Sequence, residues 1–223
     1  MSALQTAFTL FNANALELLS LRKEIQSASG FVRGRVLDIG CGEKPYEPLF
    51  RGRYSAYIGI DLETVNRSRA DVFGDSLHLP FKSSTFDTVF STQVLEHVRD
   101  PFAMLREIGA VLAPDGVLIL TAPQAWPLHE EPFDFFRYTR YGLEELLRTA
   151  GLRTVRITER MGGAATLGEL FCVMLWSKHT SGLMRRLLKP IFFIVQVIAA
   201  VADRLYRYPE LTLGYLVVAR KPA

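Results

Sequence analysis

The stretch VLDIGCG, residues 36–42, decides the fold of this chain, because it is typical of a buried strand that runs directly into a glycine turn. Asp38 lies near the carboxyl end of the strand, and Gly40 and Gly42 permit a backbone too tight for other residues. A second apolar run, YIGI, ends in Asp61, whose carboxylate can accept hydrogen bonds from both hydroxyls of a ribose. Together the two stretches predict a nucleoside cofactor site against the main chain.

The glycine turn differs from that of a dinucleotide-binding protein. The position that should carry a third glycine beside a pyrophosphate is Pro45, which follows Glu43 and Lys44. S-adenosylmethionine has no phosphate and carries a sulfonium cation, an amino acid head and a ribose. An acidic turn with Asp38 and Glu43 suits this cation, and Lys44 is then expected to point to solvent. The turn therefore favours the methyl donor.

Three further stretches follow in chain order: GDSLHLPF at 74–81, FDTVFSTQVLEHVRDP at 86–101 and LAPDGVLILTAP at 112–123. With them the chain resembles the class I S-adenosylmethionine-dependent methyltransferases of the type 11-like group, over roughly 32–152. The resemblance implies an α/β fold with a seven-stranded, doubly wound, Rossmann-like sheet whose last strand is antiparallel. It also implies S-adenosylmethionine as the cofactor, held by Asp38, Gly40, Gly42, Asp61, Leu62, Asp75, Ser76, Leu77 and Ser91. For Asp75, an ordinary turn is the alternative.

The order of apolar segments supports the same architecture. Strands alternate with helices after residue 30, which is typical of a parallel sheet. Helical spacing covers 3–28, 101–112 and 140–150. We therefore divide the chain into an N-terminal helix, 1–29, that covers the cofactor, and a methyltransferase domain, 30–223. Residues 160–209 form a helical insertion before the last strand.

Titratable side chains follow strands four and five, at the edge where such sheets bind ligands. His97 follows strand four, and His129 and Asp134 follow strand five. Methyl transfer depends mostly on positioning, but an oxygen nucleophile needs a base, and His129 is the leading candidate. The alternatives are structural hydrogen bonds for these residues, with Arg137 binding either an acidic neighbour or an anionic substrate group.

Cysteine usage indicates neither disulfides nor a metal centre. Cys41 and Cys172 are the only cysteines, and neither has metal-ligand spacing to a second cysteine or a histidine. We accordingly predict no metal site.

The insertion carries most of the positive charge. From residue 160 to 223 there are nine Lys and Arg and three Asp and Glu, which gives +6 within a total of +3. Lys189, Gln196, Asp203 and Arg207 form a narrow polar stripe on a helix that we place at 190–207. The apolar run 191–202 would be about 18 Å long, too short to span about 30 Å of hydrocarbon.

Two interpretations of this helix stay open. Residues 183–207 either lie in an anionic membrane surface or are buried against the domain or in a homodimer. A similarity of CGEKPY and HEEPFDFFRYTRYGL to a methyltransferase subgroup in glycan- or lipid-linked metabolism agrees with the first.

Composition restricts the remaining classes of protein to which the chain could belong. A chain of 223 residues with 49% hydrophobic content can build a full core, and its first residues do not form a secretory signal. We expect a cytoplasmic protein, at the inner face of a membrane if the helix binds lipid. The sequence has no basic stripe interleaved with aromatic residues near the predicted pocket, so it disfavours a nucleic-acid partner. The sequence predicts methyl transfer to a small-molecule or lipid- or glycan-linked acceptor; the alternative is a noncatalytic scaffold subunit that docks through its apolar tail.

Overall fold

The computed structural model describes residues 10–65, 68–176 and 181–223. In these residues the strands are β1 (Arg35–Ile39), β2 (Ala56–Asp61), β3 (Val72–Phe73), β4 (Phe86–Thr92), β5 (Leu112–Pro123), β6 (Arg153–Glu159) and β7 (Gly214–Arg220). They form one sheet in the order β3-β2-β1-β4-β5-β7-β6. Strands β1 to β5 pair in parallel and β7 is antiparallel, so the predicted fold class is confirmed.

The helices are α1 (Ala15–Ala28), α2 (Pro101–Val111), α3 (Arg140–Thr149), α4 (Gly163–Leu175) and α5 (Gly182–Leu205). Short 3-10 helices occupy Ser29–Phe31, Glu47–Phe50 and Leu95–His97. Helix α2 begins where Asp100 and a following proline predict it, because the Asp100 carboxylate accepts a hydrogen bond from the Ala103 amide at 2.8 Å. The predicted start of the first helix is wrong within the described residues, since 10–14 form turns; residues 3–9 lie outside them.

The sheet brings the ends of its central strands to one edge. Ile39, the last residue of β1, is in register with Ile60 of β2 and with Ser91 of β4. Strand order reverses between β1 and β4, and an open α/β sheet binds its ligands at such a point. The residues that pack this region are fully buried and include Leu37, Val89, Leu95, Leu105, Leu118 and Val217.

The chain divides into two compact units. The larger comprises 24–124, 128–158 and 215–223 and contains the main hydrophobic core. The smaller comprises the described residues of 1–23, 125–127 and 159–214, and includes α4 and α5. The predicted domain boundaries, with an N-terminal helix to residue 29, stay a prediction.

Within the smaller unit, α5 buries the middle of its polar stripe. It begins at Gly182 rather than at the predicted Pro190, which lies inside the helix. Gln196 is fully buried, and its amide donates to the carbonyls of Leu10 and Asn12 at 3.3 and 2.7 Å. Its oxygen accepts a hydrogen bond from Leu16 N at 3.1 Å. Lys189 and Arg207, at the two ends of the stripe, are exposed. Gln196 therefore anchors the helix to residues 10–16.

The opposite face of α5 is apolar and exposed. Its exposed apolar residues recur every three or four positions and are Leu183, Leu187, Ile191, Ile194, Ile198, Val201 and Leu205. Helix α4 adds Leu167, Phe171 and Met174. We call these ten residues the apolar face. Among the described residues, none of the helices combines the length and hydropathy needed to cross a bilayer.

Candidate cofactor and active site

The glycine turn after β1 is fixed to the neighbouring strand. Gly40 and Gly42 have φ values of 66° and 49°, and the amide of Gly40 donates to the Ile60 carbonyl at 2.9 Å. A Cβ on Gly40 would lie 2.3 Å from a methyl carbon of Val94, whereas one on Gly42 would meet no atom within 4 Å. The turn thus needs glycine at position 40 for packing and keeps open space at position 42.

Asp38 presents a buried acceptor at the carboxyl end of β1. Its Oδ2 accepts a hydrogen bond from the Tyr57 hydroxyl at 2.6 Å, while the buried Oδ1 has no hydrogen-bond partner in the described part of the chain. Burial raises the pKa of Asp38 to about 7, against the opposing effect of the Tyr57 hydrogen bond. An ammonium or sulfonium ligand would supply what Oδ1 lacks, so the residue fits the predicted cofactor.

Asp61 holds the turn as well as the strand tip. Its Oδ2 accepts hydrogen bonds from Gly42 N and from the Ser68 hydroxyl, both at 3.0 Å, and its Oδ1 accepts one from Leu62 N at 2.9 Å. A carboxylate has about four acceptor positions, so capacity remains for a ribose hydroxyl. The roles of Asp61 and Leu62 at the ribose stay predictions. Their part in fixing the turn was not apparent from sequence.

Lys44 does not point to solvent as expected. Its ammonium lies 2.5 Å from the carboxylate of Asp71, which also accepts from Gly59 N at 2.7 Å. The side chain crosses β2 where Gly59 leaves room, since a Cβ there would lie 2.6 Å from Lys44 Cε. The negative charge of Asp71 offsets the positive charge of Lys44, which lies beside the predicted site for a cationic cofactor.

The remaining predicted cofactor residues lie at the same edge. Asp75 is exposed, and its Oδ1 accepts from Leu77 N at 2.9 Å, which is the turn alternative noted above. Ser76 and Leu77 are half-buried. Ser91 is buried and donates its hydroxyl to the Ile39 carbonyl at 3.3 Å, so any ligand contact falls to its main chain. Contacts of these four residues to the adenosine and methionine parts stay predictions.

Two histidines that are distant in sequence meet beyond β4. The His97 and His129 rings have centroids 4.7 Å apart and cross at 74°. Nδ1 of His97 lies 2.7 Å from the Phe133 carbonyl, and Phe135 N donates to the Glu96 carbonyl at 2.9 Å. These bonds fasten the segment after β5 onto the 3-10 helix after β4. The two predicted catalytic clusters are therefore one site.

Asp134 is paired with Arg137 and lies beside His129. Its Oδ1 and Oδ2 accept hydrogen bonds from Arg137 at 2.6 and 2.7 Å, and its Oδ2 lies 3.2 Å from His129 Nδ1. The Arg137 hydrogen bonds hold the pKa of Asp134 well below its usual range. Of the alternatives for Arg137, pairing with Asp134 is the one observed. A catalytic part for Asp134, His97 or His129 stays a prediction.

Glu96 follows β4 together with His97, and sequence reasoning assigned it no role of its own. It is fully buried, and its Oε1 lies 4.0 Å from His97 Nε2. Glu96, His97 and His129 each offer one potential ligand atom, and these atoms lie within 4.8 Å of one another. The available signal was an acid–histidine pair after one strand and a histidine after the next, which parallel strands bring to the same edge.

Comparison with known proteins agrees with this geometry. The family model of the methyltransferase domain matches residues 11–157. The chain belongs to this family. A probable S-adenosylmethionine-dependent methyltransferase of Mycolicibacterium smegmatis is 32% identical over 149 residues, 60% of this chain and 58% of that protein. A ubiquinone biosynthesis O-methyltransferase of Rhodopseudomonas palustris is 32% identical over 109 residues, 44% and 42% of the two.

A solved S-adenosylmethionine-dependent methyltransferase of Archaeoglobus fulgidus has the same fold. It superimposes with a TM-score of 0.57 at 18% identity, over 92% of this chain and 94% of that one. The chain spans about half the length of the curated relatives it matches. Family and fold confirm the predictions of a class I methyltransferase and of S-adenosylmethionine as its cofactor.

Proposed function

We propose that this protein transfers a methyl group from S-adenosylmethionine to a hydroxyl oxygen of a small-molecule or lipid- or glycan-linked acceptor. The observation that carries the proposal is the placement of two complementary groups at one sheet edge. Asp38 ends β1 with a buried acceptor for a cation, and the His97–His129 pair lies beyond the adjacent strand β4. The cofactor supplies an electrophilic methyl carbon on a positively charged sulfur.

The chain's own residues have separate tasks. Asp38, Asp61 and the glycine turn hold the cofactor, and most of the rate comes from orienting the two reactants. The histidine pair faces the acceptor, whose hydroxyl loses its proton there. Because the Phe133 carbonyl can only accept, Nδ1 of neutral His97 carries the hydrogen and Nε2 carries the lone pair. Asp134 orients His129.

Oxygen as the methylated atom is supported by the relatives' printed name, ubiquinone biosynthesis O-methyltransferase. A lipid-linked acceptor is supported by the apolar face. Exposed cations flank that face at Arg186 and Arg204, and cations beside an apolar helix face favour an anionic bilayer surface. We place the protein in the cytoplasm, at the inner face of a membrane, when it acts on such an acceptor.

The activity is tested with labelled methyl donor and an extract of cells that produce the protein. We expect label to enter the organic phase with the wild-type protein and not with Asp38→Asn. Phe102→Ser, at an exposed position on α2, should label the same product as the wild type. Calorimetric binding of the cofactor without labelling of any extract fraction would contradict the proposal and support the noncatalytic scaffold alternative.

The membrane part is tested by flotation with vesicles of mixed anionic and zwitterionic lipid. We expect wild-type binding that salt weakens and that the double variant Ile194→Ser/Ile198→Ser loses, because these residues are 55% and 63% exposed. Phe102→Ser is the matched control outside the apolar face. A wild-type protein that ignores vesicles and is a dimer by light scattering, with the double variant a monomer, would show that the apolar face is a homodimer interface.

A further inference from the structure

We propose that Glu96, His97 and His129 form a site for a divalent transition-metal ion of the zinc class. This inference rests on the proposed function, since the cation would act on the acceptor hydroxyl. Prediction from sequence considered cysteine spacing alone and found no metal site. The folded chain instead assembles a carboxylate and two imidazoles from segments that follow different strands.

The hydrogen bonds around His97 select the nitrogen that a metal needs. Nδ1 lies 2.7 Å from the Phe133 carbonyl, which can only accept, so the ring carries its hydrogen on Nδ1. The lone pair is then on Nε2, the nitrogen that lies 4.0 Å from Glu96 Oε1. A ligating histidine in proteins usually donates its other ring N–H to a carbonyl or carboxylate in this way.

His129 also has an acceptor beside its Nδ1, in this case a carboxylate and not a carbonyl. Its Nδ1 lies 3.2 Å from Asp134 Oδ2, and Asp134 is in turn held by Arg137. A neutral ring that donates Nδ1–H to this carboxylate carries its lone pair on Nε2. The backbone amide of His129 donates to the same oxygen at 3.0 Å. Ring and main chain are thus both fixed by one buried carboxylate, as in carboxylate–histidine–zinc sites.

The chemistry of the donor set also favours a cation. Glu96 is fully buried on the 3-10 helix after β4. The hydrogen bonds to Asp134 and, to a smaller extent, the nearby charge of Glu96 raise the pKa of the Arg137 guanidinium, so Glu96 offers a carboxylate beside the two imidazoles. Two imidazoles and one carboxylate form the ligand set of many zinc sites with an open fourth position. Magnesium prefers oxygen ligands, whereas imidazole nitrogens suit zinc, iron and nickel. The donor set therefore selects the zinc class.

The spacing requires a modest closure. Zinc bonds to nitrogen and oxygen are about 2.0–2.2 Å, so two ligand atoms of a tetrahedral site lie about 3.4 Å apart. The potential ligand atoms are within 4.8 Å of one another, and the closest Glu96–His97 approach is 4.0 Å. Side-chain movements of up to about 1.4 Å close the cluster. The backbone bonds that join the two segments need not change.

A cation at this position would activate the acceptor. It would bind the hydroxyl oxygen and lower the pKa of that hydroxyl, so that the O–H bond would break with the proton passing to solvent water and the negative charge held by the cation. With the metal bound, the lone pair of each imidazole would be used in ligation, so the two histidines would hold the metal and would not themselves accept the acceptor proton.

The test is a zinc titration of chelator-treated, full-length protein by calorimetry, followed by cobalt substitution and visible absorption spectroscopy. We expect one ion per chain. Asp134→Asn should weaken binding about 10- to 100-fold, the usual effect of removing a partner of a ligating histidine. Glu96→Gln and His129→Ala, which remove ligands, should weaken it further. His78→Ala, at an exposed histidine outside the cluster, is the control and should bind as the wild type does.

Two results would overturn the metal site: zinc binding that Glu96→Gln and His129→Ala leave unchanged, or absence of zinc binding by the wild type. If chelator-treated protein binds no zinc yet methylates the extract, the proposed function stands and the metal site fails. If zinc binds at one per chain and no fraction is methylated, the metal site stands and the proposed function fails. Circular dichroism of each variant separates lost ligands from lost folding.

Discussion

Asp38 at the carboxyl edge of the sheet and Gln196 in α5 are buried polar side chains in opposite states. Asp38 keeps a buried oxygen without a hydrogen-bond partner in the described residues. The side-chain amide of Gln196 makes three hydrogen bonds to the main chain. A buried polar atom left without a partner is costly, whereas a satisfied one stabilises the fold. Thr166 Oγ1 in α4 and Asp203 Oδ1 in α5 also lack a partner among the described residues, so it is the position of Asp38 at the ligand-binding edge of the sheet that distinguishes it.

The same contrast applies to apolar side chains. The larger unit buries its large aliphatic residues around the sheet, while α5 buries Phe192 and leaves Ile194 and Ile198 mostly exposed. An exposed apolar area of this kind is a binding surface more often than an accident of composition. The sheet edge is thus the place that we propose for a small cationic ligand, and the α4–α5 helix pair is the surface that we propose for a membrane.

The largest expected effect comes from separating the two faces of α5. Phe192→Ser should lower the free energy of unfolding by about 3–5 kcal/mol, because it opens a cavity among Ala13, Cys172 and Leu188. Ile194→Ser, 55% exposed, should change it by less than about 0.5 kcal/mol. Urea denaturation measures both. Equal destabilisation by the two changes would show that the apolar face is buried in solution.

The next largest expected effect concerns Asp38 Oδ1, the buried oxygen that has no hydrogen-bond partner in the described residues. Asp38→Asn should weaken cofactor binding about 10- to 100-fold, the loss of a charge-assisted hydrogen bond of about 1.5–3 kcal/mol. The wild type should also lose affinity, up to about tenfold per pH unit, as the pH falls below about 7, since the carboxyl must release a proton to bind a cation. Calorimetry from pH 5.5 to 8.5 measures this. A flat profile would show that Asp38 does not meet the cationic part of the cofactor.

The sign of the accompanying change in stability is opposite. The folded pKa of Asp38 lies above its unfolded value of 3.8, so its contribution favours the folded state at low pH and is lost as the pH rises from about 4 to about 7. Asp38→Asn should therefore raise the melting temperature at pH 8 while it weakens cofactor binding. A lower melting temperature of Asp38→Asn than of the wild type at pH 8 would contradict the idea that Asp38 is kept for binding at the expense of stability.

The smallest expected effect comes from replacing Gln196, whose side-chain amide makes three hydrogen bonds. Gln196→Leu should cost about 1–3 kcal/mol of unfolding free energy, because it removes the donor to the carbonyls of Leu10 and Asn12 while the volume is nearly unchanged. The amide of Leu16 keeps its second acceptor, Glu169 Oε2, at 3.2 Å. Cofactor affinity, measured on the folded variant, should stay within twofold of the wild type. A large loss of affinity would show that the helix pair and the sheet edge are coupled.

The local residue pattern and the order of segments along the chain were sufficient to predict the sheet and most of the helices. The Asp100 cap and the strand ending at Asp61 depend on neighbours in sequence, and such features are accessible to sequence reasoning. The burial of Gln196, on a stripe whose Lys189 is exposed, was not accessible, because a polar stripe faces solvent or a satisfied interior with the same spacing. The contact of Glu96 and His97 with His129 was not predicted for a similar reason, since His129 comes from a separate segment.

The contact between Gly40 and Val94 has a consequence for protein engineering. Val94 fills the space over the turn and precedes Glu96 by only two positions, so a bulkier residue at either place would displace the 3-10 helix together with the turn. Diversity introduced at 94–97 should therefore yield mostly inactive clones. Libraries aimed at new acceptors are better confined to 130–133 and 135–136, where the side chains can change while the main-chain bonds to Glu96 persist.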